Sequence, residues 1–215
     1  MILKLVSMSD ARCDFWDRVA RRYSAMPMRN PVAYEATLAR VRSYLKPTHS
    51  VLELGCGTGT TALRMAPHVR RYTASDRAAE MISVAREKCA AAGIEGLDLC
   101  TAGCGDDTLP DWPFDVVLAF NLLHLLPDRH AALGDVHDML PDQGLFITKT
   151  PCLGGVFSVF RPLVALLRWA GKAPDIRFLT PERLEHDITS AGFEILESDD
   201  HPKRPPSRFI VARKL

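Results

Sequence analysis

The chain has 215 residues, of which 47% are hydrophobic and 25% charged, a composition typical of one folded domain with a sizeable core. Its 27 basic and 26 acidic side chains leave no global field to attract nucleic acid or an anionic membrane. Six scattered cysteines form neither a C-x-x-C pair nor a zinc spacing, so we expect reduced thiols, no metal and a cytoplasmic protein. The opening residues predict neither a signal peptide nor a membrane span, and Met1 and Met8 are both candidate starts.

Two helical stretches, at 10–26 and 31–45, are predicted to open the chain. From residue 50 onward, short apolar or β-branched runs alternate with helical patterns, which is typical of a parallel sheet built from βαβ units. The predicted strands are 51–54, 71–75, 97–101, 114–120 and 144–150. A helix between the second and third strands is predicted to end at Gly93, since glycine suits a left-handed C-cap.

The last part of the chain predicts one helix and two strands. Thr180 as N-cap and Pro181 at the first helical position predict the helix. The segments "FEILESDD" and "RFIVARKL" predict strands, and the Pro-rich connection between them is too short for a crossover helix. These two strands must therefore pair antiparallel, which gives a doubly wound, mostly parallel α/β sheet of seven strands. An apolar insertion at 152–178 has no counterpart elsewhere in the chain.

The stretch "VLELGCGTGT", residues 51–60, ends a strand in three glycines and indicates a ligand-binding turn. A nucleoside triphosphate loop needs a lysine after the last glycine, and Thr60 and Thr61 stand there instead. A dinucleotide fingerprint needs glycine or alanine at Thr60, so that motif matches only in part. The glycine spacing alone leaves the ligand class open.

Two carboxylates narrow the choice of ligand. Glu53 lies near the end of the first strand, where a buried charge requires a cationic or hydrogen-bonding partner and where a pyrophosphate would be repelled. Asp76 ends the second strand, at the position where an acid accepts both hydroxyls of a ribose. A ligand with a ribose, no phosphate and a cationic end fits both, and S-adenosylmethionine is such a ligand.

Residues 51–150 resemble the class I S-adenosylmethionine-dependent methyltransferases. "VLELGCGTG" is similar to the family's first motif, "ASDRAAEMI" to its second-strand acid segment, "FDVVLAFNLLHLLPD" to its fourth strand and "VHDMLPDQGLFI" to the approach to its fifth. The resemblance implies the strand order 3-2-1-4-5-7-6 with strand 7 antiparallel. It divides the single domain into an N-terminal helical cap (1–46), a cofactor-binding core (47–151), an apolar helical lid (152–178) and a C-terminal helix with the antiparallel strand pair (179–215).

The resemblance also implies which residues bind S-adenosylmethionine. Asp76 would hold the ribose, the glycine turn would border the amino-acid end, and the loop at 103–105 would meet the adenine. The family commonly has an acid where this chain has Cys104, and an apolar residue where it has Arg77, so Asp106 or a backbone carbonyl is an alternative adenine partner. The predicted cofactor residues are Glu53, Gly55, Cys56, Gly57, Gly59, Asp76, Arg77, Gly103, Cys104, Asn121, Leu122 and Tyr23.

The acceptor side is predicted from topology. His124 follows the fourth strand and is the candidate general base, with a polar residue that only opens the next segment as the alternative. The apolar residues of the insertion nearly encircle a helix, and the protein's own core, an apolar acceptor or a membrane surface would have to cover them. Phe157 and Phe160 are the candidate acceptor contacts of a lid over a small, apolar substrate.

Two other functions remain open at this level. An NAD(P)-dependent Rossmann oxidoreductase is disfavoured by Glu53, Thr60 and the reversed last strand, and a noncatalytic S-adenosylmethionine-binding module would share the same fold. A nucleic-acid acceptor is not expected, because the Asn/Asp-Pro-Pro-aromatic motif and a basic extension are both absent from the sequence. We expect no stable membrane insertion, and either a monomer or a dimer is compatible with the sequence.

Overall fold

The computed structural model describes residues 10–110, 112–203 and 206–215. Its strands are β1 Ser50–Leu54, β2 Arg71–Asp76, β3 Leu97–Thr101, β4 Val116–Phe120, β5 Leu145–Pro151, β6 Phe193–Lys203 and β7 Pro206–Lys214. They form one sheet in the order β3-β2-β1-β4-β5-β7-β6. The first five strands run parallel, whereas β7 is antiparallel to β5 and β6. The predicted fold class and strand order are confirmed.

The α-helices of the described ranges are α1 Asp10–Ala25, α2 Pro31–Arg42, α3 Thr60–Met65, α4 Ala79–Ala92, α5 Arg129–Met139, α6 Arg161–Trp169 and α7 Pro181–Ser190. Their caps follow the predicted chemistry. Thr180 Oγ1 accepts a hydrogen bond from the backbone N–H of Arg183 at 3.2 Å, and Gly93 ends α4 in the left-handed conformation.

Several element boundaries differ from the prediction, among them the start of β4 and the end of α2. β4 begins at Val116 rather than Phe114, because the Asp115 carboxylate accepts a hydrogen bond from the Ser50 N–H at 2.7 Å and ties the start of β4 to β1. α2 ends at Arg42 rather than at residue 45, because the next residues form hydrogen bonds to carbonyls three positions back, as in a 3₁₀ turn.

The sheet separates two hydrophobic cores. Side chains of neighbouring positions in β1 point to opposite faces, so Val51 packs with α2 and α3 while Leu52 packs with α5 and α7. A smaller cluster joins α1 to α4 through Ala20 and Met81. With helices covering both faces, the carboxyl ends of β1, β2, β4 and β5 form the open edge where the sequence predicts the site.

Three coverings were considered for the apolar residues of the insertion, and for α6 the protein's own core is not the one found. No residue of α6 is buried, and Trp169 is 86% exposed. The helix is held instead by its polar side: Arg168 pairs with Asp175 at 2.8 Å, and the Arg161 guanidinium lies 5.3 Å from the ring centre of Phe178. The apolar face of α6 is therefore exposed rather than packed into the core.

The described residues hold five free thiols, at Cys56, Cys89, Cys100, Cys104 and Cys152. The side chain of Cys13 and the two candidate start methionines lie outside what the structure describes. Within the described ranges, no helix has the length and apolar character needed to cross a bilayer, and no three potential metal-binding side chains cluster together.

A buried ion pair joins α5 to α7. Asp187 is fully buried and receives the Arg129 guanidinium at 2.9 Å. Arg183, one turn earlier on α7, approaches the other carboxylate oxygen at 2.9 Å. A buried charge that loses its partner is strongly destabilising, so this pair is a sensitive point of the fold.

Asp187→Ala should lower the free energy of unfolding by about 3–5 kcal/mol, because it leaves the Arg129 guanidinium buried without its counter-ion. Urea unfolding followed by circular dichroism measures this loss. The matched control is Asp138→Ala on the exposed side of α5, which should change the value by less than about 0.5 kcal/mol. Equal effects of the two variants would contradict the structural role of Asp187.

Candidate functional site

The glycine turn leaves β1 in a conformation that other residues rarely adopt. Gly55 and Gly57 have φ angles of +67° and +54°, in the left-handed region. A Cβ at Gly55 would lie 2.9 Å from a methyl carbon of Leu122, whereas a Cβ at Gly57 would meet nothing within 4 Å. The Cys56 N–H donates to the Ser75 carbonyl at 2.9 Å, which anchors the turn to β2. The turn thus exposes backbone at Gly57 and is closed by Leu122 at Gly55.

Asp76 links this turn to the end of β2. Its carboxylate accepts hydrogen bonds from the N–H groups of Gly57 and Ala78, both at 2.9 Å. Burial raises the pKa of Asp76, and the two backbone hydrogen bonds counteract that shift. Each carboxylate oxygen has a further lone pair, so the group is able to accept hydrogen bonds from a vicinal diol.

Glu53 is the most deeply buried acid of the site, with 2% of its surface exposed. The Tyr72 hydroxyl donates to its carboxylate at 2.8 Å. Burial raises the pKa of Glu53 to about 8, and no basic side chain of the described residues counteracts this shift. A ligand that brings a positive charge to Glu53 would therefore stabilise the ionised carboxylate.

The loop after β3 brings Arg77 and Gly103 together. A Cβ at Gly103 would lie 2.7 Å from Arg77 Cδ, so the aliphatic part of Arg77 packs on the loop backbone. Asp106 accepts a hydrogen bond from the Gly103 N–H at 2.6 Å. Cys104 turns toward α5, where its thiol donates to the Ala132 carbonyl at 3.3 Å and burial raises its pKa to about 12. A ligand at this loop would meet backbone and Arg77 rather than the Cys104 sulfur.

The end of β4 carries three of the predicted residues. Asn121 has a φ of 54° and donates its N–H to the Lys149 carbonyl at 2.8 Å, which brings it and Leu122 beside the glycine turn. His124 lies in the 3₁₀ turn Leu123–Leu125, and its carbonyl accepts the Arg177 N–H at 2.7 Å. Its Nδ1 is buried with no hydrogen-bond partner among the described residues, and burial lowers the pKa of the imidazole to about 4.

The aromatic candidates lie further from the glycine turn. Tyr23 is 49% exposed and contacts Trp16 of its own helix edge-to-face at 6.0 Å. Tyr34 is closer to the turn, since its hydroxyl is 3.2 Å from Thr61 Oγ1 at the start of α3. Phe157 is half-buried and Phe160 is 52% exposed before α6. The roles of Tyr23, Phe157 and Phe160 stay predictions.

Sequence reasoning missed two polar residues on the sheet face that carries Glu53, and one residue of α2 that contacts one of them. Tyr72 supplies the hydroxyl on Glu53, and Lys149 donates to Thr37 Oγ1 of α2 at 2.6 Å. The available signal for Lys149 was a charged residue inside the predicted strand "LFITKTP", whereas Tyr72 in "RYTAS" is an ordinary strand residue and gave none. The role of Thr37 could not be predicted from the sequence, because its partner Lys149 lies far along the chain.

Residues 26–198 match the model of a family described as a methyltransferase domain. The chain belongs to this family. Together with the seven-stranded sheet, the match places this domain in the class I S-adenosylmethionine-dependent methyltransferase family. S-adenosylmethionine, with S-adenosylhomocysteine as its demethylated product, is the cofactor that the family implies.

Relatives with curated names agree with the family and differ in length. The uncharacterized methyltransferase YcgJ of Bacillus subtilis is 29% identical over 99 residues, 46% of this chain and 39% of YcgJ. The ubiquinone biosynthesis O-methyltransferase of Xanthomonas axonopodis pv. citri is 28% identical over 172 residues, 77% of this chain and 70% of that enzyme. A highly reducing polyketide synthase of Fusarium is 27% identical over 194 residues, which are 80% of this chain and 8% of the synthase.

Solved structures share the fold at low sequence identity. The crystal structure of YcgJ superposes with a TM-score of 0.69 at 17% identity, covering 84% of this chain and 98% of YcgJ. The DhpI–S-adenosylhomocysteine complex gives 0.71 at 21% identity, with 95% and 96% covered. The [4+2]-cyclase SpnF gives 0.70 at 18% identity, with 85% and 80% covered. At these identities the likeness concerns the fold alone.

The affinity of the methyltransferase for S-adenosylhomocysteine should depend on pH through Glu53. Without ligand the carboxyl is protonated below about 8, and a cationic amino group favours its ionised form, so binding releases a proton. The association constant should then rise by up to about tenfold per pH unit below pH 8 and level off above it.

Calorimetry in buffers of different ionisation enthalpy measures both the affinity and the released proton. Glu53→Gln keeps an acceptor for the Tyr72 hydroxyl but has no proton to release, so its profile should be flat. A wild-type profile as flat as that of the variant would refute this linkage.

Proposed function

We propose that this methyltransferase transfers the methyl group of S-adenosylmethionine to a small, apolar acceptor by in-line displacement. The observation that carries the proposal is the pair of carboxylates that flank the glycine turn. Asp76 offers lone pairs to a diol, and Glu53 is buried with no cation beside it among the residues that the structure describes. Between them, Gly57 leaves open space. This arrangement supports a ribose, a cationic amino group and no phosphate.

The protein's own contribution to such a reaction is mainly positioning. When bound, S-adenosylmethionine would supply an activated methyl carbon for transfer to the acceptor, with S-adenosylhomocysteine left as the product. Asp76 and Glu53 would hold the two ends of the ligand, and Asn121 and Leu122 would border its middle. Fixing two reactants in line lowers a barrier by roughly 7–11 kcal/mol, so little further chemistry is needed.

His124 is proposed to orient the acceptor. Its imidazole is neutral at pH 7, since burial lowers its pKa to about 4, and this makes it a weak base. Its buried Nδ1 has no partner in the described part of the chain, and an unpaired buried nitrogen gains from a hydrogen bond to a ligand. We therefore assign His124 a hydrogen bond to the acceptor group before any proton transfer.

The insertion is proposed as a lid on the acceptor side. The hydrogen bond from the Arg177 N–H to the His124 carbonyl joins its returning segment to the end of β4. The exposed apolar face of α6 includes Leu163 and Leu166, and Phe160 lies just before it. An apolar acceptor between this face and the sheet would bury surface that is otherwise exposed to water.

A methyltransferase fold is compatible with other activities. SpnF, which shares the fold, is named a [4+2]-cyclase, so the fold alone does not establish methyl transfer. Methyl transfer from labelled S-adenosylmethionine to any member of a panel of phenols, amines and thiols separates a catalyst from a noncatalytic binding module.

Calorimetry should show that the protein binds S-adenosylmethionine but not NAD⁺. Asp76→Ala removes both ribose acceptors and should weaken S-adenosylmethionine binding at least about 100-fold, or about 3 kcal/mol. Asp98→Ala, at an exposed position of β3, is the matched control and should leave the affinity unchanged. Tight NAD⁺ binding would overturn the proposal in favour of an oxidoreductase.

Phe157→Ala/Phe160→Ala should raise the KM for any apolar acceptor found in the panel at least about tenfold, because two apolar contacts of the lid are lost. S-adenosylmethionine affinity should not change, since neither side chain is assigned to the cofactor. Trp169→Ala, at the exposed far end of α6, is the aromatic control. If acceptor KM is untouched in the double variant, the lid does not bind the acceptor.

A further inference from the structure

Lys149 is a partly buried cation that has no counter-ion among the described residues. It lies in β5, and its Nζ donates to Thr37 Oγ1 at 2.6 Å. The Thr37 hydroxyl gives its own proton to the Ala33 carbonyl at 2.7 Å, so it serves Lys149 as an acceptor. Burial alone lowers the pKa of Lys149, with no carboxylate raising it. Two of its three N–H donors therefore lack a partner within the described ranges.

The strand register puts Lys149 on the sheet face that carries Glu53. Glu53 pairs with Leu118 of β4, which pairs with Ile147 of β5, and Lys149 is two positions further along the same face. Strand spacing and rise separate the Cα atoms of Glu53 and Lys149 by about 12 Å. Lys149 also accepts the Asn121 N–H through its carbonyl. It thus stands at the β5 side of the site, beneath α2.

A buried carboxyl group and a partly buried ammonium group therefore share this face without pairing with each other. Each is costly in isolation, and each is relieved by a ligand group of the opposite charge. One lysine with two N–H donors left over matches a small monoanion, whereas a phosphate would call for several basic or backbone donors.

We propose that Lys149 and Thr37 form a carboxylate-binding position of this site. The inference rests on the proposed function and names a group that the ligand must carry. The carboxylate belongs either to the amino-acid end of the cofactor, whose amino group Glu53 would receive, or to an acidic acceptor. Both sources use the same two donors of Lys149.

Lys149→Met tests the cofactor as the source. Calorimetry with S-adenosylhomocysteine is compared with the analogue that lacks only the carboxylate. If Lys149 holds the cofactor carboxylate, the variant should lose about tenfold or more in affinity for S-adenosylhomocysteine and nothing for the analogue. Thr37→Val should give a smaller loss of the same pattern. Lys46→Met, an exposed lysine, is the matched control.

A second titration tests the acceptor as the source. Benzoate, 4-hydroxybenzoate and their methyl esters are titrated into the protein saturated with S-adenosylhomocysteine. If Lys149 holds an acceptor carboxylate, wild type should bind an acid at least about tenfold more tightly than its ester, and Lys149→Met should abolish that preference while keeping its affinity for S-adenosylhomocysteine.

Thermal unfolding checks that Lys149→Met folds, which is expected because methionine fills the same space without a buried charge. Unchanged affinities in both titrations would overturn the inference. Failure of the proposed function is a distinct result, since wild-type protein would then bind no S-adenosylhomocysteine or would methylate no acceptor of the panel.

Discussion

The site depends on the burial of one carboxyl group, that of Glu53, at the carboxyl end of a central strand. A fold gains nothing in stability from a buried acid whose partner is a single tyrosine hydroxyl. Its pKa of about 8 means that the folded protein holds a proton that the unfolded chain releases near 4.5, so stability decreases as pH rises between these values. A cationic ligand would offset this loss of stability, because it would supply the partner that Glu53 lacks among the described residues.

The strand order explains why the other groups converge on Glu53. The order reverses between β1 and β4, and connections leave these neighbours in opposite directions, which opens a crevice at their carboxyl ends. The turn after β1, Asp76 after β2 and Asn121 after β4 border that crevice. Lys149 extends the same edge to β5. The residues proposed to bind the cofactor thus stand mainly at the carboxyl ends of four parallel strands, and Thr37 of α2 adds a contact to Lys149.

Much of this arrangement was predictable from local patterns. The strands, the reversed β7, the glycine turn and the position of Asp76 follow from periodicity and glycine spacing, which are properties of consecutive residues. The Lys149–Thr37 contact and the Tyr72 hydroxyl on Glu53 were not predictable, because each joins separate elements. The orientation of α6 was equally hidden, since an apolar stripe does not tell which way it faces. The contact of Cys104 with α5 was also not predictable, because it joins separate elements.

The central claim is that the turn and its two carboxylates hold an adenosyl amino acid. A crystal structure of the protein with S-adenosylhomocysteine tests it most directly. The account predicts both ribose hydroxyls within hydrogen-bond distance of Asp76, and the amino group on the Glu53 side of the glycine turn, directly or through one water. A ligand bound elsewhere, or with its amino-acid end away from Glu53, would contradict it.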